Sequence, residues 1–326
     1  MASEKTKDLP ELKIRLKHRN IDRTVFFAIA LISLLTLGTI IYFIFAQAVP
    51  FLGKLRLVPD GEIMKWGESF TPTRLGDLFT AKWWPESDVE EFFGMVPMIV
   101  ATVMITLGAM ALAVPFGLSA AVFVGEIAPR WLKDVFKVVL ELLAAVPSVV
   151  YGFFGLIVLS PYVRGAFNTV GGKTGLTAAI ILSVMALPTI ASLAEDALHA
   201  VPKTYREASL ALGATKWQTI WRTIVPAASS GIIGASILGM GRAVGETMAV
   251  LFVAGNAPFL TANLLQSMRP ITSAIALDMA ESVRGSAHFH ALFAMGAVLL
   301  LIALAMNWTA EWFHGRLLRR QGIREG

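Results

Sequence analysis

Long stretches without charged residues alternate along this chain with shorter polar connections, and six such stretches stand out. Each holds about 20 residues or more, which is the length that an α-helix needs to cross the hydrocarbon core of a bilayer. They lack the strict alternation of apolar and polar positions found in the strands of membrane barrels, so they predict helices. The pattern predicts an all-α membrane protein with six spans, near residues 24–48, 95–124, 137–160, 174–195, 227–254 and 286–312.

The first apolar stretch allows two interpretations, a retained membrane anchor or a cleaved signal peptide. Ala46-Gln47-Ala48 resembles a signal-peptidase site. The stretch is about 25 residues long, however, whereas the apolar region of a signal peptide spans about 7–15 residues. Its length favours the anchor.

The composition supports a membrane protein and excludes all chemistry that depends on cysteine. Hydrophobic residues make up 56% of the chain and charged residues 16%, against about 25% charged in ordinary soluble domains. This balance excludes a disordered chain and argues against a soluble enzyme. Because the chain has no cysteine, it has no disulfide, no thiol nucleophile and no thiolate metal site.

Basic residues are distributed unequally between the two sides of the predicted membrane. Eighteen Lys and Arg residues fall in segments 1–23 and 313–326 and in the links on the same side, against nine on the opposite side. Because cytoplasmic loops are enriched in basic residues, both termini are predicted to be cytoplasmic. The first span is then followed by an external loop at 49–93 and a five-helix core at 94–312. This topology accounts for the net charge of +5 without a nucleic-acid partner.

The predicted external segments contain two further features. Trp66, Trp83 and Trp84 lie in the 49–93 loop, either as interfacial anchors or as part of a docking surface, and the anchor interpretation is favoured. The residues that follow Pro270 predict a short external helix.

The cytoplasmic segment 202–226 has the pattern of two short helices joined at a glycine. Thr204-Tyr-Arg-Glu207 and Thr215-Lys-Trp-Gln218 both fit the capping box that begins a helix, and Gly213 is a natural helix end. A solvated linker would not need two caps, and a DNA-reading helix-turn-helix would not sit between two spans with so few basic residues. The pattern favours a rigid projection that fits a groove on a cytoplasmic partner.

This segment resembles the EAA loop of bacterial ABC importer permeases. Glu207-Ala-Ser, Gly213 and Pro226 keep the spacing of that motif, while Ser209, Thr223 and Val225 depart from it. The resemblance implies that the segment contains the coupling helix, which docks on an ATPase subunit. The residues assigned to this coupling are Thr204, Tyr205, Arg206, Glu207, Ala208, Ser209, Leu212 and Gly213.

Three further stretches resemble the PstC-type permease of phosphate ABC importers, namely Glu141–Gly152, Gly241–Val250 and Ile271–Glu281. The paralogous PstA-type subunit is a less close match. The resemblance implies a type I ABC importer fold in the bacterial inner membrane. It also implies a PstA-type second permease, two PstB-type ATPase subunits that bind ATP and Mg, and an external PstS-type phosphate-binding protein.

Arg242 and Glu246 are charged residues inside the fifth apolar stretch, about one helical turn apart, so a continuous helix would present both on one face. An arginine at the centre of a bilayer costs about 2.5–3.5 kcal/mol on insertion scales, and such residues are usually functional. The alternative is a structural ion pair between the two. A guanidinium suits an oxyanion, and we expect Glu246 to orient Arg242 and to accept a hydrogen bond from the OH group of hydrogen phosphate. The resemblance also places both residues on the phosphate path.

The remaining signals argue against an enzyme. Gly172-Lys173-Thr174 ends like a nucleotide-binding loop, but the position of its first glycine is Phe167. His288 and His290 do not share a helix face, so no metal site is predicted, and no catalytic residue or cofactor is predicted for this chain.

Taken together, the sequence predicts the permease subunit of an ATP-driven phosphate importer. An ion-coupled secondary anion transporter or channel, and an ABC permease for another oxyanion, remain the alternatives.

Overall fold

Helices form almost all of the structure, a computed structural model that describes residues 9–53, 83–84 and 92–320. In chain order the helices are α1 (Leu9–Gly53), α2 (Val96–Val122), α3 (Arg130–Ala145), α4 (Ser148–Phe154), α5 (Ser160–Phe167), α6 (Gly175–Ala200), α7 (Lys203–Ala211), α8 (Lys216–Thr219), α9 (Val225–Ala227), α10 (Ser229–Val244), α11 (Met248–Val253), α12 (Ile271–Asp278) and α13 (Ala287–Arg320). π-Helical turns extend α2 and join α4 to α5 and α8 to α9, at Phe123–Ile127, Gly155–Leu159 and Ile220–Ile224. The predicted segment 1–23 and tail 313–326 lie partly outside the described residues, and the loop 49–93 lies mostly outside them.

In the part of the chain that the structure describes, five helical stretches are long and apolar enough to cross a membrane, and a sixth qualifies if one bent pair is a single span. The five stretches are Val25–Val49, Val96–Ile127, Ser148–Phe167, Gly175–Ala200 and Ala287–Trp312. The bent pair joins Lys216–Ala227 to Ser229–Val244 at an angle of 69°. The all-α membrane architecture is therefore confirmed, although two of the predicted spans differ from the observed ones.

α6 lies at the centre of the fold, where it packs against α2 on one side and α10 on another. Ile190 of α6 is fully buried between two glycines, Gly117 of α2 and Gly239 of α10. A Cβ atom on Gly117 would lie 2.8 Å from Ile190, and one on Gly239 would lie 2.6 Å from it. Because apolar burial gives little drive for association within lipid, this close backbone approach is what allows the three helices to pack.

The third predicted span, 137–160, is wrong in its boundaries. The chain there forms two separate helices, α3 and the span Ser148–Phe167, with extended backbone at Val146 and Pro147 between them. Proline lacks an amide hydrogen and disfavours helical backbone at the preceding residue, so the helix ends before it. α3 is amphipathic, and Leu140 is its only buried residue.

The fifth predicted span, 227–254, is also interrupted. Its helical path starts earlier, at Lys216, bends between Ala227 and Ser229, and ends at Val244. After a short break the separate helix α11 follows. The sequence pattern missed this break because it contains no proline, and the residues on its two sides, Val244 and Met248, are both apolar.

Trp83 is not the interfacial anchor that the sequence suggested. Its side chain is buried, and its indole nitrogen donates a hydrogen bond of 3.0 Å to Oδ2 of Asp278. The short strand pair β1 (Trp83–Trp84) and β2 (Phe92–Phe93) is antiparallel and sets Trp83 opposite Phe93. Asp278 ends the predicted helix after Pro270, which the structure confirms as α12. Trp66 and the side chain of Trp84 lie outside the described residues.

Candidate functional site

The break between α10 and α11 is held in place by polar contacts on both sides. Oε1 of Glu246 accepts a hydrogen bond of 3.2 Å from the amide of Ala249, in the first turn of α11. The hydroxyl of Thr272, at the start of α12, donates to the Glu246 carbonyl at 2.9 Å. The Glu246 carboxylate therefore satisfies an amide that has no partner within its helix, which is the usual role of a helix cap.

Arg242 lies in the last turn of α10, and its side chain is exposed. Its Nη1 atom donates a hydrogen bond of 3.3 Å to the hydroxyl of Thr189, on α6. Among the described residues, no ion pair joins Arg242 to Glu246 or to another carboxylate. The expectation that Glu246 orients Arg242 is wrong, because the helix that would place them on one face ends at Val244. Thr189, which sequence reasoning missed, makes the contact instead.

The exposed face of α10 continues on both sides of Arg242. Leu238, Gly241, Arg242 and Gly245 are all exposed, and their spacing of three or four residues places them on one side of the helix. A Cβ atom added at Gly241 would meet nothing within 4 Å. This face of α10, which we call the open face, therefore has a guanidinium and small residues that do not pack against the rest of the chain.

The coupling segment, residues 202–226, forms two short helices around a glycine, as predicted. Gly213 has a φ of 82°, which glycine adopts easily, and it follows the end of α7. The capping box of Thr215 and Gln218 is present. The box predicted at Thr204 is absent, because Pro202 takes the N-cap position and α7 begins two residues earlier than predicted, at Lys203.

Arg206 faces the membrane-spanning helices rather than a docking surface. Its guanidinium forms an ion pair with Glu126, in the π-helical turn that extends α2. It also donates hydrogen bonds of 3.0 Å to the carbonyls of Leu198 and Val201, at the end of α6. The Arg206 side chain thus connects α7 to the ends of α2 and α6. Arg206 was predicted to dock on a partner, and sequence alone gave no sign of these internal contacts.

Ser209 also serves an internal contact, between the two halves of the coupling segment. Its hydroxyl lies 3.0 Å from the hydroxyl of Thr219 and 3.4 Å from that of Thr223. The remaining residues assigned to coupling are exposed: Thr204, Tyr205, Glu207, Ala208, Leu212 and Gly213. Trp217 and Trp221 lie edge to face with ring centroids 5.6 Å apart and are also exposed. The segment therefore presents aromatic and apolar side chains outward, as a docking surface requires.

A buried carboxylate near the coupling segment was not anticipated from the sequence. Glu195 of α6 is 3% exposed and lies 3.2 Å from Nζ of Lys133 and 3.3 Å from Nζ of Lys137. Nζ of Lys133 also lies 2.8 Å from Nε2 of His199, whose Nδ1 faces the Glu195 carbonyl. These contacts fix the polar side of α3 to the end of α6. The spacing of Lys133 and Lys137, one turn apart on an amphipathic helix, is the signal that would have pointed to them.

Residues 113–320 match the family described as the binding-protein-dependent transport system inner membrane component. The chain belongs to this family. Relatives of the permease include the probable ABC transporter permease protein YqgH of Bacillus subtilis, 41% identical over 70% of this chain and 74% of the relative. The phosphate transport system permease protein PstC of Xylella fastidiosa is 34% identical over 82% of this chain and 88% of its own length.

Solved structures show the same fold at low sequence identity. A bacterial ABC transporter involved in alginate import matches with a TM-score of 0.56 and 14% identity, over 93% of the permease and 99% of that chain. The MetNI methionine ABC transporter in an inward-facing conformation matches with a TM-score of 0.52 and 18% identity, over 71% and 96%. The permease therefore has the type I ABC importer fold, and it is a membrane-spanning transport subunit.

Proposed function

We propose that this permease carries inorganic phosphate across the bacterial inner membrane as part of an ATP-driven importer. The observation that carries the proposal is the exposed guanidinium of Arg242 in the last turn of a membrane helix, held by Thr189 and, among the described residues, paired with no carboxylate. A cation in this position is costly unless it faces protein or water. A guanidinium offers planar paired donors that match phosphate oxygens. The names of the PstC relatives support phosphate as the substrate.

The other half of the path comes, in this proposal, from a PstA-type second permease that packs against the open face of α10. Gly241 and Gly245 would permit a close approach of the two backbones. Phosphate is delivered on the outer side by a PstS-type binding protein. Two PstB-type ATPases hold ATP and Mg and dock on the exposed side chains of the coupling segment, among them Tyr205 and Leu212.

Glu246 has a revised role in this proposal. One of its carboxylate oxygens caps α11, which fixes the shape of the break beside Arg242. The other oxygen is free, among the contacts that the structure describes, to accept a hydrogen bond from the OH group of hydrogen phosphate. Sulfate has no such proton, so this contact would favour phosphate over sulfate.

The orientation follows from the charge distribution. The coupling segment lies on the side that carries 18 of the basic residues, and this distribution supports a cytoplasmic position for the segment and for both termini. When ATP closes the two ATPase subunits, they then move the coupling segment on the cytoplasmic side of the membrane. The change in access to Arg242 requires that ATP bind the two conformations with different affinity.

Phosphate uptake by the assembled complex in vesicles tests the proposal. We expect Arg242→Ala to abolish uptake, Arg242→Lys to retain part of it, and Glu246→Gln to weaken the preference for phosphate over sulfate in competition. Arg284→Gln, at an exposed cation outside the path, is the matched control. Uptake at the wild-type rate by Arg242→Ala would remove Arg242 from the path. Uptake without ATP hydrolysis would instead indicate a secondary transporter or channel, and equal competition by sulfate a broader oxyanion permease.

A further inference from the structure

A cavity of about 580 Å³ lies at the end of the Ser148–Phe167 span, between α5 and the loop that leads into α6. Its lining includes the side chains of Arg164 and Lys173, together with Ser160, Asn168 and Thr169. α6 begins beside the cavity at Gly175 and ends at Ala200, next to the coupling segment. Since a helix rises 1.5 Å per residue, these two ends are about 39 Å apart. The cavity is therefore on the side of the membrane opposite to the coupling segment.

Among the described residues, no carboxylate balances the positive charges around this cavity. No Asp or Glu lines the cavity, and neither Arg164 nor Lys173 forms an ion pair with a described residue. Thr169 adds a buried hydroxyl that has no hydrogen-bond partner among the described residues. A buried polar atom without a partner costs about 1–3 kcal/mol. A ligand with acceptor oxygens in the cavity would supply the negative charge that Arg164 and Lys173 lack among the described residues.

The loop that forms one wall is rigidly built. Gly172 has a φ of 68°, and a Cβ atom there would lie 2.1 Å from the carbonyl oxygen of Ser160. The hydroxyl of Thr177 donates to the Gly172 carbonyl at 2.7 Å, and Thr174 caps α6. Asn168 adopts the left-handed conformation with a φ of 51°. Because the wall is fixed in advance, a ligand would lose little affinity to ordering it.

We propose that this cavity binds a phosphate-type oxyanion. The fork of Arg164 provides paired donors and Lys173 a second positive charge, which together suit a tetrahedral anion. Leu156 and Pro161 add an apolar wall, so the group can be free phosphate or the headgroup of an anionic phospholipid at the membrane surface. The cavity shares no lining residue with the Arg242 site, so the inference does not rest on the transport function proposed above.

The test uses the absence of native cysteine from the chain. Gly165→Cys places a thiol on the cavity lining, where a Cβ atom meets nothing within 4 Å. The rate at which an uncharged maleimide modifies this thiol is measured in the assembled complex in nanodiscs at constant ionic strength. One arm adds inorganic phosphate to discs of phosphatidylcholine, and the other compares these discs with discs containing phosphatidylglycerol. Each variant is compared with its own rate without phosphate, so that changes in thiol reactivity cancel.

We expect occupancy to slow the modification saturably. At phosphate ten times above its Kd, about a tenth of the sites stay free, so the rate falls about tenfold. Slowing by phosphate identifies the free ion, and slowing by phosphatidylglycerol identifies the headgroup. Arg164→Gln with Lys173→Gln should remove the protection, each single variant should weaken it, and Arg284→Gln, at a cation outside the cavity, should leave it intact. An unprotected thiol in both arms, or protection that survives in the double variant, would overturn the proposal.

Discussion

Replacing Arg206 with alanine tests how the coupling segment is connected to the membrane-spanning helices. The guanidinium contacts Glu126 at the end of α2 and two carbonyls at the end of α6. The side chain of Arg206 is 24% exposed and that of Glu126 is 12% exposed, so both are largely withdrawn from water. Arg206→Ala therefore leaves a half-buried carboxylate without its partner and two carbonyls without a donor.

The magnitude follows from these contacts. Hydrogen bonds to charged groups contribute about 1.5–3 kcal/mol each, and removing one member of a fully buried ion pair costs about 3–5 kcal/mol. Because the pair is partly exposed and water can reach the carbonyls, we expect a loss of about 2–3 kcal/mol. This loss weakens the attachment of α7 to the ends of the long helices by roughly 30- to 150-fold in equilibrium terms.

The assay measures phosphate uptake and ATP hydrolysis together in vesicles that contain the assembled complex. We expect Arg206→Ala to lower the number of phosphate ions taken up per ATP hydrolysed, because the segment then moves without pulling on α2 and α6. Arg206→Lys keeps the charge but loses the fork, so it should recover only part of the ratio. Glu126→Gln added to Arg206→Ala should cause little further loss, since the two residues act as one pair. Lys203→Ala, on the exposed side of the same helix, is the control.

An unchanged uptake-to-ATP ratio in Arg206→Ala, with an unchanged thermal unfolding midpoint, would refute this reasoning. It would mean that the contacts of Arg206 are redundant and that the coupling segment is held by packing alone. Ile220 and Ile224, both buried against the end of α6, are the residues that would then carry the connection.

Three further predictions concern stability. Gly117→Ala should destabilise the permease by about 1–3 kcal/mol in thermal unfolding, because the added Cβ meets Ile190 at 2.8 Å, whereas Gly165→Ala, in open space, should not destabilise it. Burial raises the pKa of Asp278, but His288, Arg269 and the Trp83 hydrogen bond together lower it below the ordinary value. The stabilising effect of the Asp278 carboxylate should therefore be complete above the ordinary pKa of about 3.9 and be lost as the pH falls through the lowered pKa. Asp278→Asn should reduce the unfolding midpoint at neutral pH and flatten the dependence of that midpoint on acid pH. An unchanged dependence of the midpoint on pH would contradict this. Glu195→Gln should lower the midpoint as well, since it leaves Lys133 and Lys137 facing each other without the carboxylate between them, and removal of both lysines in the same variant should restore part of the loss.

Hydropathy was sufficient to predict most of the membrane-spanning architecture. α6 and the helix that begins at Val96 contain long runs without interruption, so their positions follow from the length of apolar chain that a bilayer requires. The third span was misplaced because apolar residues continue across Pro147. A hydropathy pattern does not show that proline lacks the backbone N–H that a continuous helix needs. Proline placement, rather than hydrophobicity, was the informative signal at that point.

The candidate site was less predictable, for a related reason. Arg242 and Glu246 were singled out by their charge, and their predicted mutual arrangement assumed a continuous helix. The break after Val244 is stabilised by Thr272, from a segment far along the chain, and the partner of Arg242 is Thr189, on another helix. Contacts between distant segments of this kind leave no periodic pattern in one sequence. For the same reason, the sequence did not predict that Arg206 contacts the ends of α2 and α6.

α6 contacts both Arg206 of the coupling segment and Arg242. Its end holds Arg206 through the carbonyls of Leu198 and Val201, and its middle holds Arg242 through Thr189. Thr189 follows Pro188, which lies inside α6 and removes one hydrogen bond of that helix. A helix is stiff along most of its length but bends readily at proline. A movement of the coupling segment, passed to the end of α6, would therefore be converted into a change of angle next to Thr189, where the guanidinium is anchored. On this argument we expect a substitution of Pro188 to lower the number of phosphate ions taken up per ATP hydrolysed in the assembled complex.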